Sequence, residues 1–595
     1  MKRRSLIKGA VVGAIIAPGL LPGPSAPAPV FSRVRPGDSK WPGKTRWAKL
    51  NQEVEGNLIE VQPLFKGCAM DGGSGACAEV RANISNPYYL GDQPAGTQVS
   101  GWLDAWSPAP SVYAIKARTT AHVIAAVNFA RENNLRLVVK GTGHSYQGTS
   151  NAADSLMIWT RAMNAVSVHD AFVPKGCEGV VKPTRAVSAG AGAMWSDLYF
   201  AVSGQGGRYV QGGGCMDVGV AGLIQSGGFG SFSKRFGLAA ASLLEAEVVT
   251  ADGAVRVANL RTNPDLFWAI KGGGGGSWGV VTKLTLRTHE LPEFFGRAFG
   301  SIRAQSSNAF KPLIARFLDF YADHLFNPHW GEQVTLGPDN TLELAMACQG
   351  LDGAAVKAVW QPFFDWVTGA PDLSLSARHG ADVTLARHFW DIDGNGAMIP
   401  DRRPGAPAHH GWWRGDQDQV GVFLHGFESI WLPASLLQAS ERQRLAEALF
   451  SASRYEKVAL HFNKGLAGAP ADAIAAAGQT AINPAAINAF ALALTANGEA
   501  PRYPGMARPP LDEVAVRKNA RAVELAAAEL RRVAPDAGSY VSESNFFNAS
   551  WRNAFWGPNY PRLRAIKTKY DPGGLFFVHH GVGSEDWSPD GFARL

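Results

Sequence analysis

Between residues 113 and 287 the chain switches repeatedly between two hydrophobic periods. Val123, Ile124, Val127 and Ala130 recur at helical spacing, which predicts a helix over 121–132 capped by Thr120. The run Leu135-Arg136-Leu137-Val138-Val139 predicts a strand that enters Gly141-Thr142-Gly143-His144-Ser145 directly. Similar units follow: a short strand over 156–159, then a strand over 186–193 and a helix over 194–202. A hairpin over 244–250 and 255–257 turns on Ala251-Asp252-Gly253. A helix over 265–270 starts after Asn263-Pro264 and leads into five glycines at 272–276. In 280–287, Leu284 and Leu286 alternate with Lys283, Thr285 and Arg287, the pattern of a half-buried strand.

Beyond His289 the glycine clusters thin out. Helices are predicted over 304–321, 435–452 and 511–533, and strands over 335–347 and 421–429. His461-Phe462-Asn463-Lys464 reads as a strand with His461 and Asn463 on one face and Phe462 and Lys464 on the other. Residues 30–110 are loop-rich, and 540–587 turn aromatic again. The expected partition is a leader (1–29), an extension (30–110), a glycine-looped α+β domain (111–290), a second α+β domain (291–535) and a C-terminal return (536–595).

The length of 595 residues calls for more than one domain, and 46% hydrophobic residues supply large cores. A net charge of +7, from 57 basic and 50 acidic residues without a basic run of five, speaks against a nucleic-acid partner. The leader opens Lys2-Arg3-Arg4-Ser5-Leu6-Ile7-Lys8 and continues with a weakly apolar run over 9–21 broken by Pro18. That run is too short for a stable membrane span. The order of regions reads as a twin-arginine export signal, although Lys2 departs from its usual Ser or Thr. It implies the twin-arginine export machinery as a partner and a periplasmic or extracellular destination. An oxidising compartment permits disulfides, and Cys68 and Cys77, close together in a glycine-rich stretch, are the expected pair.

The glycine loops admit specific chemistry. Bare amides at Lys140-Gly141-Thr142-Gly143-His144-Ser145 can approach a pyrophosphate, although the loop alone leaves His144 equally readable as a polar loop residue. In Gly212-Gly213-Gly214-Cys215-Met216-Asp217-Val218-Gly219-Val220-Ala221-Gly222, a cysteine beside bare amides can be a small buried residue or a reactive thiolate.

Together these segments resemble the FAD-linked oxidases like berberine bridge enzyme, of the vanillyl-alcohol-oxidase and p-cresol-methylhydroxylase superfamily. The resemblance covers about 113–287 and 540–587. It implies an α+β fold in which a two-part FAD-binding domain of the p-cresol-methylhydroxylase type carries a substrate domain with an antiparallel sheet. It further implies FAD held through two covalent links, His144 at the 8α-methyl and Cys215 at C6. It places Lys140, Gly141, Thr142, Gly143, Ser145, Gly214, Val218, Gly219, Gly222, Gly227, Val281 and Asn559 around the cofactor. A valine at position 218 goes, in this family, with oxygen as the acceptor.

The reaction so implied takes a hydride from a hydroxyl-bearing carbon of a small molecule, a sugar or other alcohol. Molecular oxygen then receives the electrons and leaves as hydrogen peroxide. Tyr540 matches the family's pocket tyrosine, with Glu543 close by in sequence, and His461 and Asn463 could bind a polyol or act as base. A tailoring oxidase or cyclase of secondary metabolism, a dehydrogenase with another acceptor, and a flavoprotein without turnover are the competing readings. Tyr540-Val541-Ser542-Glu543 stands where plant members have Tyr-x-Asn-Tyr, so plant substrates do not transfer. The pairs His409-His410 and His579-His580 would point to opposite sides of a strand, so no metal site is expected.

Overall fold

The protein is described by a computed structural model covering residues 31–66, 68 and 75–595. The export signal read at 1–29 lies outside the described residues.

Among the described residues, two sheets build the first domain. In the smaller, Arg136–Lys140 and Tyr113–Lys116 flank Ser155–Trp159 in parallel, and Leu58–Glu60 adds an antiparallel edge. Helix Thr120–Glu132 buries Val123, Ala126, Val127 and Ala130 against Ile115, Leu137, Leu156 and Ile158 of this sheet. Its cap is Thr119, one residue earlier than expected, because that side chain accepts the His122 amide. The larger sheet has five antiparallel strands in the order Val255–Asn259, Leu243–Val249, Val280–Arg287, Thr184–Gly190, Val166–Phe172.

The second domain is centred on a nine-stranded sheet, antiparallel except where Val99–Trp102 runs parallel to Val422–Pro433. Helices Ser307–Phe320, Gly353–Gly369, Ala439–Ser453 and Glu513–Arg531 contribute to one apolar core with strand residues such as Val334, Leu344, Ile430 and Leu460. Each large side chain buried there contributes about 1.5–3 kcal/mol.

Three expectations change. The strand over 335–347 is two strands, Trp330–Leu336 and Thr341–Gln349, paired as a hairpin across residues 337–340. Asn340 takes the positive φ of 64° that this turn requires. The extension over 30–110 is not simply loop: helix Lys44–Glu53 packs Trp47 and Leu50 into the core of the smaller sheet, and Leu58–Glu60 and Val99–Trp102 each join a sheet. Its proline and glycine content sets short elements rather than their absence. The alternation at 461–464 is not a strand: Val458–His461 ends there and Phe462–Lys464 is a 3₁₀ turn. Phe462 enters the helix-backed core, stacked on Tyr321 at 4.0 Å. His461 and Asn463 therefore do not share a strand face.

The C-terminal segment returns to the first domain. Trp556 Nε1 donates to the Gly272 carbonyl at 3.0 Å, and Lys567 Nζ donates to the carbonyls of Ser277 and Phe576 and to Asp571. Cys68 and Cys77 are joined in a disulfide.

Candidate active site

The two glycine loops meet. The Gly219 amide donates to Thr142 Oγ1 at 3.0 Å, and His144 Nε2–H donates to Asp217 Oδ2 at 2.5 Å. His144 follows the strand Arg136–Lys140, and Asp217 sits two residues after Cys215, so the tight contact brings the two expected attachment residues to one place. Holding the proton on Nε2 leaves a lone pair on His144 Nδ1. Asp217 was missed in the sequence; its only signal was its position two residues beyond the cysteine.

Gly143 has φ +86°, and a Cβ there would stand 3.1 Å from the Gly96 carbonyl oxygen, so glycine is required. Lys140 works behind the loop. Its buried Nζ donates to the carbonyls of Gln93, Pro94 and Gly96, and burial lowers its pKa to about 7. It props the segment against which Gly143 packs instead of reaching into the site. Ser145 closes its own loop by accepting from the Thr149 amide and hydroxyl. Gly141 packs near the Ala191 carbonyl, while a Cβ on Gly222 would meet open space. Gly214 accepts from Trp413 Nε1 at 2.9 Å, and Gly227, at φ +98°, faces Ile482. Val281 is buried in the core of the larger sheet, and Asn559 donates to the Ile482 carbonyl.

Cys215 does not sit as a thiolate. Burial, with Asp416 and Asp217 beside it, pushes its thiol well above the ordinary value. Burial first, and then the neighbouring carboxylates, work against the thiolate reading. Asp416 is hydrogen-bonded to this thiol, and burial with Asp217 and Glu332 nearby pushes its carboxyl up to about 6. Its proton affinity is thus higher in the folded state than in the unfolded chain. The stability it contributes is complete below about pH 4 and is lost as pH rises through about 6. Asp416→Asn, which cannot ionise, is expected to raise Tm above that of the parent between about pH 6 and 8 and to leave it unchanged near pH 4. Scanning fluorimetry across this range checks it, and a pH-independent difference contradicts it.

Glu332 reaches the same cluster by an unusual route. Trp330, Val334 and Leu336 of its strand point into the helix-backed core, and alternation would send Glu332 there too. Instead it takes φ +64°, and its Oε1 lies 3.6 Å from where a Cβ on Gly214 would be. Positive φ costs a non-glycine residue in a strand, so this outlier marks a position where a carboxylate is wanted at the site. Burial raises its pKa.

Of the expected catalytic residues, Glu543 is placed at the site. Lys464 Nζ donates to both of its carboxylate oxygens at 2.6 Å, and the side chains are only 13% and 19% exposed. Lys464, read as facing away from the pocket, is therefore part of it, because the 3₁₀ turn redirects the chain. Tyr540 is buried against Phe229 and Trp431, and burial with Glu543 nearby raises its pKa. Burial lowers the pKa of His461 well below the ordinary histidine value, and Asn463 is buried with its Oδ1 unpartnered among the described residues.

The histidine pairs also differ from expectation. His409 and His410 lie in a loop, and both direct Nε2 to Asp197 Oδ1, at 3.0 and 3.1 Å. The rule that strand neighbours diverge does not apply to a turn. His579 and His580 stack on each other at 3.8 Å.

The FAD binding domain family model matches residues 112–259, and the Berberine and berberine like model matches 537–583. An FAD-linked oxidoreductase of Aspergillus versicolor is 30% identical, over 95% of this chain and 90% of its own length. The chain belongs to the berberine-bridge-enzyme-like FAD-linked oxidoreductases. The VAO-type flavoprotein MtVAO615 of Myceliophthora thermophila has a similar fold, with TM-score 0.77, 26% identity, and coverage of 95% of this chain and all of its own. Glucooligosaccharide oxidase of Acremonium strictum, a protein with 6-S-cysteinyl, 8α-N1-histidyl FAD, shares the fold at TM-score 0.60 and 20% identity, over 82% of this chain and 94% of its own. The oxidoreductase's residues fit the cofactor: His144 and Cys215 converge, Gly222 leaves space, and the buried Asn151 and Gln225 amides hold polar atoms that are unpartnered among the described residues. No helix among the described residues is long and apolar enough to cross a membrane.

Proposed function

We propose that this oxidoreductase is an exported oxidase that removes a hydride from a hydroxyl-bearing carbon of a sugar or similar alcohol, through FAD attached at both His144 and Cys215, and releases hydrogen peroxide. The observation that carries the reading is the convergence of His144, Cys215, Asp217, Asp416, Glu332 and the Lys464–Glu543 pair from two domains. Held at His144 and Cys215, FAD would supply the hydride acceptor and the route of the electrons to oxygen. Carboxylates and an ammonium in a partly dry site are suited to bind a polyol's hydroxyls and to take the proton the substrate loses. His144 presents Nδ1 for attachment because Asp217 holds Nε2, in keeping with the histidyl linkage named for glucooligosaccharide oxidase. Asp416 is placed to accept the Cys215 proton.

Export by the twin-arginine route is supported by Arg3-Arg4 and is compatible with the Cys68–Cys77 disulfide. Replacing both arginines by lysine is expected to keep the protein in the cytoplasm. The decisive experiment is peroxide release on a panel of oligosaccharides, simple alcohols and phenolic alcohols. Release confined to phenolic or heterocyclic compounds would replace the sugar reading with that of a tailoring oxidase, and none on any member would defeat both.

Val218 is half-buried, packed on the core beside the cysteine loop. If it keeps a path open for oxygen, Val218→Leu slows reoxidation at least tenfold and leaves reduction by substrate unchanged. Stopped-flow mixing of reduced enzyme with oxygen measures both; equal reoxidation rates contradict the assignment.

A further inference from the structure

Asp197, His409 and His410 form a second constellation that the oxidase chemistry does not use. Their donor atoms all lie within 4.8 Å of one another. The two imidazole Nε2 atoms stand 3.0 and 3.1 Å from the same carboxylate oxygen. Ligands bound to one ion at about 2.0–2.1 Å in tetrahedral array are separated by about 3.3 Å, so little movement is needed to accept it.

Each donor is fixed by something other than the other two. Asp197 Oδ2 accepts the Met194 amide at 2.9 Å at the start of helix Trp195–Tyr199, which leaves Oδ1 turned to the imidazoles. The His410 ring stacks on Tyr88 at 4.5 Å, and the Tyr88 hydroxyl in turn donates to the Gly411 carbonyl. The His409 ring stacks on Phe200 at 4.4 Å, nearly parallel. The side chains of Asp197 and His409 are 14% and 23% exposed, which leaves a side from which an ion enters and water completes its shell.

Charge gives an independent reason. Among the described residues no lysine or arginine pairs with Asp197. That carboxylate is largely buried, and its partners there are the two imidazoles. A divalent ion brings positive charge to this carboxylate directly. Two nitrogen donors and one carboxylate favour a borderline first-row ion such as Zn²⁺ over Ca²⁺ or Mg²⁺, which take all-oxygen shells.

We propose that Asp197, His409 and His410 bind one Zn²⁺-class divalent ion that clamps the 409–416 segment of the substrate domain onto the FAD domain. On binding, each imidazole gives its Nε2 lone pair to the ion. The clamp lies beside the flavin-linking loop. Tyr199, two residues from Asp197, donates to the Gly213 carbonyl, and Trp413, three from His410, donates to that of Gly214.

The test uses full-length holoenzyme purified without a histidine tag, stripped with chelator, and incubated with Zn²⁺ alone. After desalting, elemental analysis is expected to find about one Zn²⁺ per chain, and Tm is expected to rise over that of the stripped enzyme. His409→Gln/His410→Gln should lose both effects, while His388→Gln, at an exposed His–Asp pair, should keep them. No retained Zn²⁺ in the parent, or equal retention in the double variant, overturns the proposal. X-ray absorption of the parent Zn²⁺ complex reads the ligand set without any variant: two imidazoles with oxygen support the site, and a sulfur-containing or imidazole-free shell overturns it.

Discussion

Acid precipitation of the enzyme is expected to give a yellow pellet from the parent and from each of His144→Ala and Cys215→Ala, and a colourless pellet only from the double variant. The reasoning is geometric. His144 and Cys215 lie on separate loops, and the Gly219–Thr142 and His144–Asp217 hydrogen bonds hold those loops together. Either residue can therefore hold the cofactor while the other is absent. The two attachments should differ in what they depend on. Asp217→Asn weakens the hydrogen bond that keeps the His144 proton on Nε2, so the histidyl link should form more slowly while the cysteinyl link persists. The Cys215 thiol is pushed well up by burial and by Asp416, and it needs a base at the moment of bond formation. Asp416→Asn removes that base, and loss of general-base help is worth roughly 10²–10⁴ in rate. Mass spectrometry of flavin-bearing peptides from each variant separates the links. A colourless pellet from either single variant contradicts independent attachment, and a colourless parent pellet removes covalent attachment altogether.

The FAD domain was largely legible because its residues carry local signals. Periodic apolar positions at 123–130 and 135–139, and glycines where the backbone must turn at positive φ, show themselves without knowledge of distant neighbours. His144 and Cys215 were legible for the same reason, lying in unusual glycine loops. The rest of the site was hidden because its members are set by long-range packing. Asp416 and Glu332 reach Cys215 from the other domain, and no spacing in the chain announces that. Glu332 breaks strand alternation through one positive φ, so the rule that places side chains on strands puts it on the wrong face. Lys464 was misplaced by the same rule, because four alternating residues cannot tell a strand from a strand that ends in a 3₁₀ turn. His409 and His410 show the converse error, a strand rule applied to a loop. Beside the site the backbone departs from regular alternation, and there an irregular conformation brings a polar group to bear.

Removing either half of the Lys464–Glu543 pair is expected to cost both stability and activity, and removing both halves together should separate the two. The ammonium donates to both carboxylate oxygens at 2.6 Å, and neither side chain is more than one-fifth exposed. Lys464→Met strands the carboxylate and Glu543→Gln strands the ammonium, at about 3–5 kcal/mol for an uncompensated buried charge, less in proportion to the water that still reaches the pair. Lys464→Met/Glu543→Leu leaves no charge to strand, and apolar replacement of a buried pair is often neutral. The double variant should therefore recover most of the Tm lost by the single ones. Activity should not follow. If the pair orients the substrate and takes part in proton removal, kcat/KM stays lower by about 10²–10⁴ in the double variant as in the single ones. Thermal unfolding and steady-state peroxide release on the same four proteins supply both readouts. Activity that returns together with Tm would show that the pair only ties the 462–464 turn to the C-terminal segment, and the search for the base would move to Asp416 and Glu332.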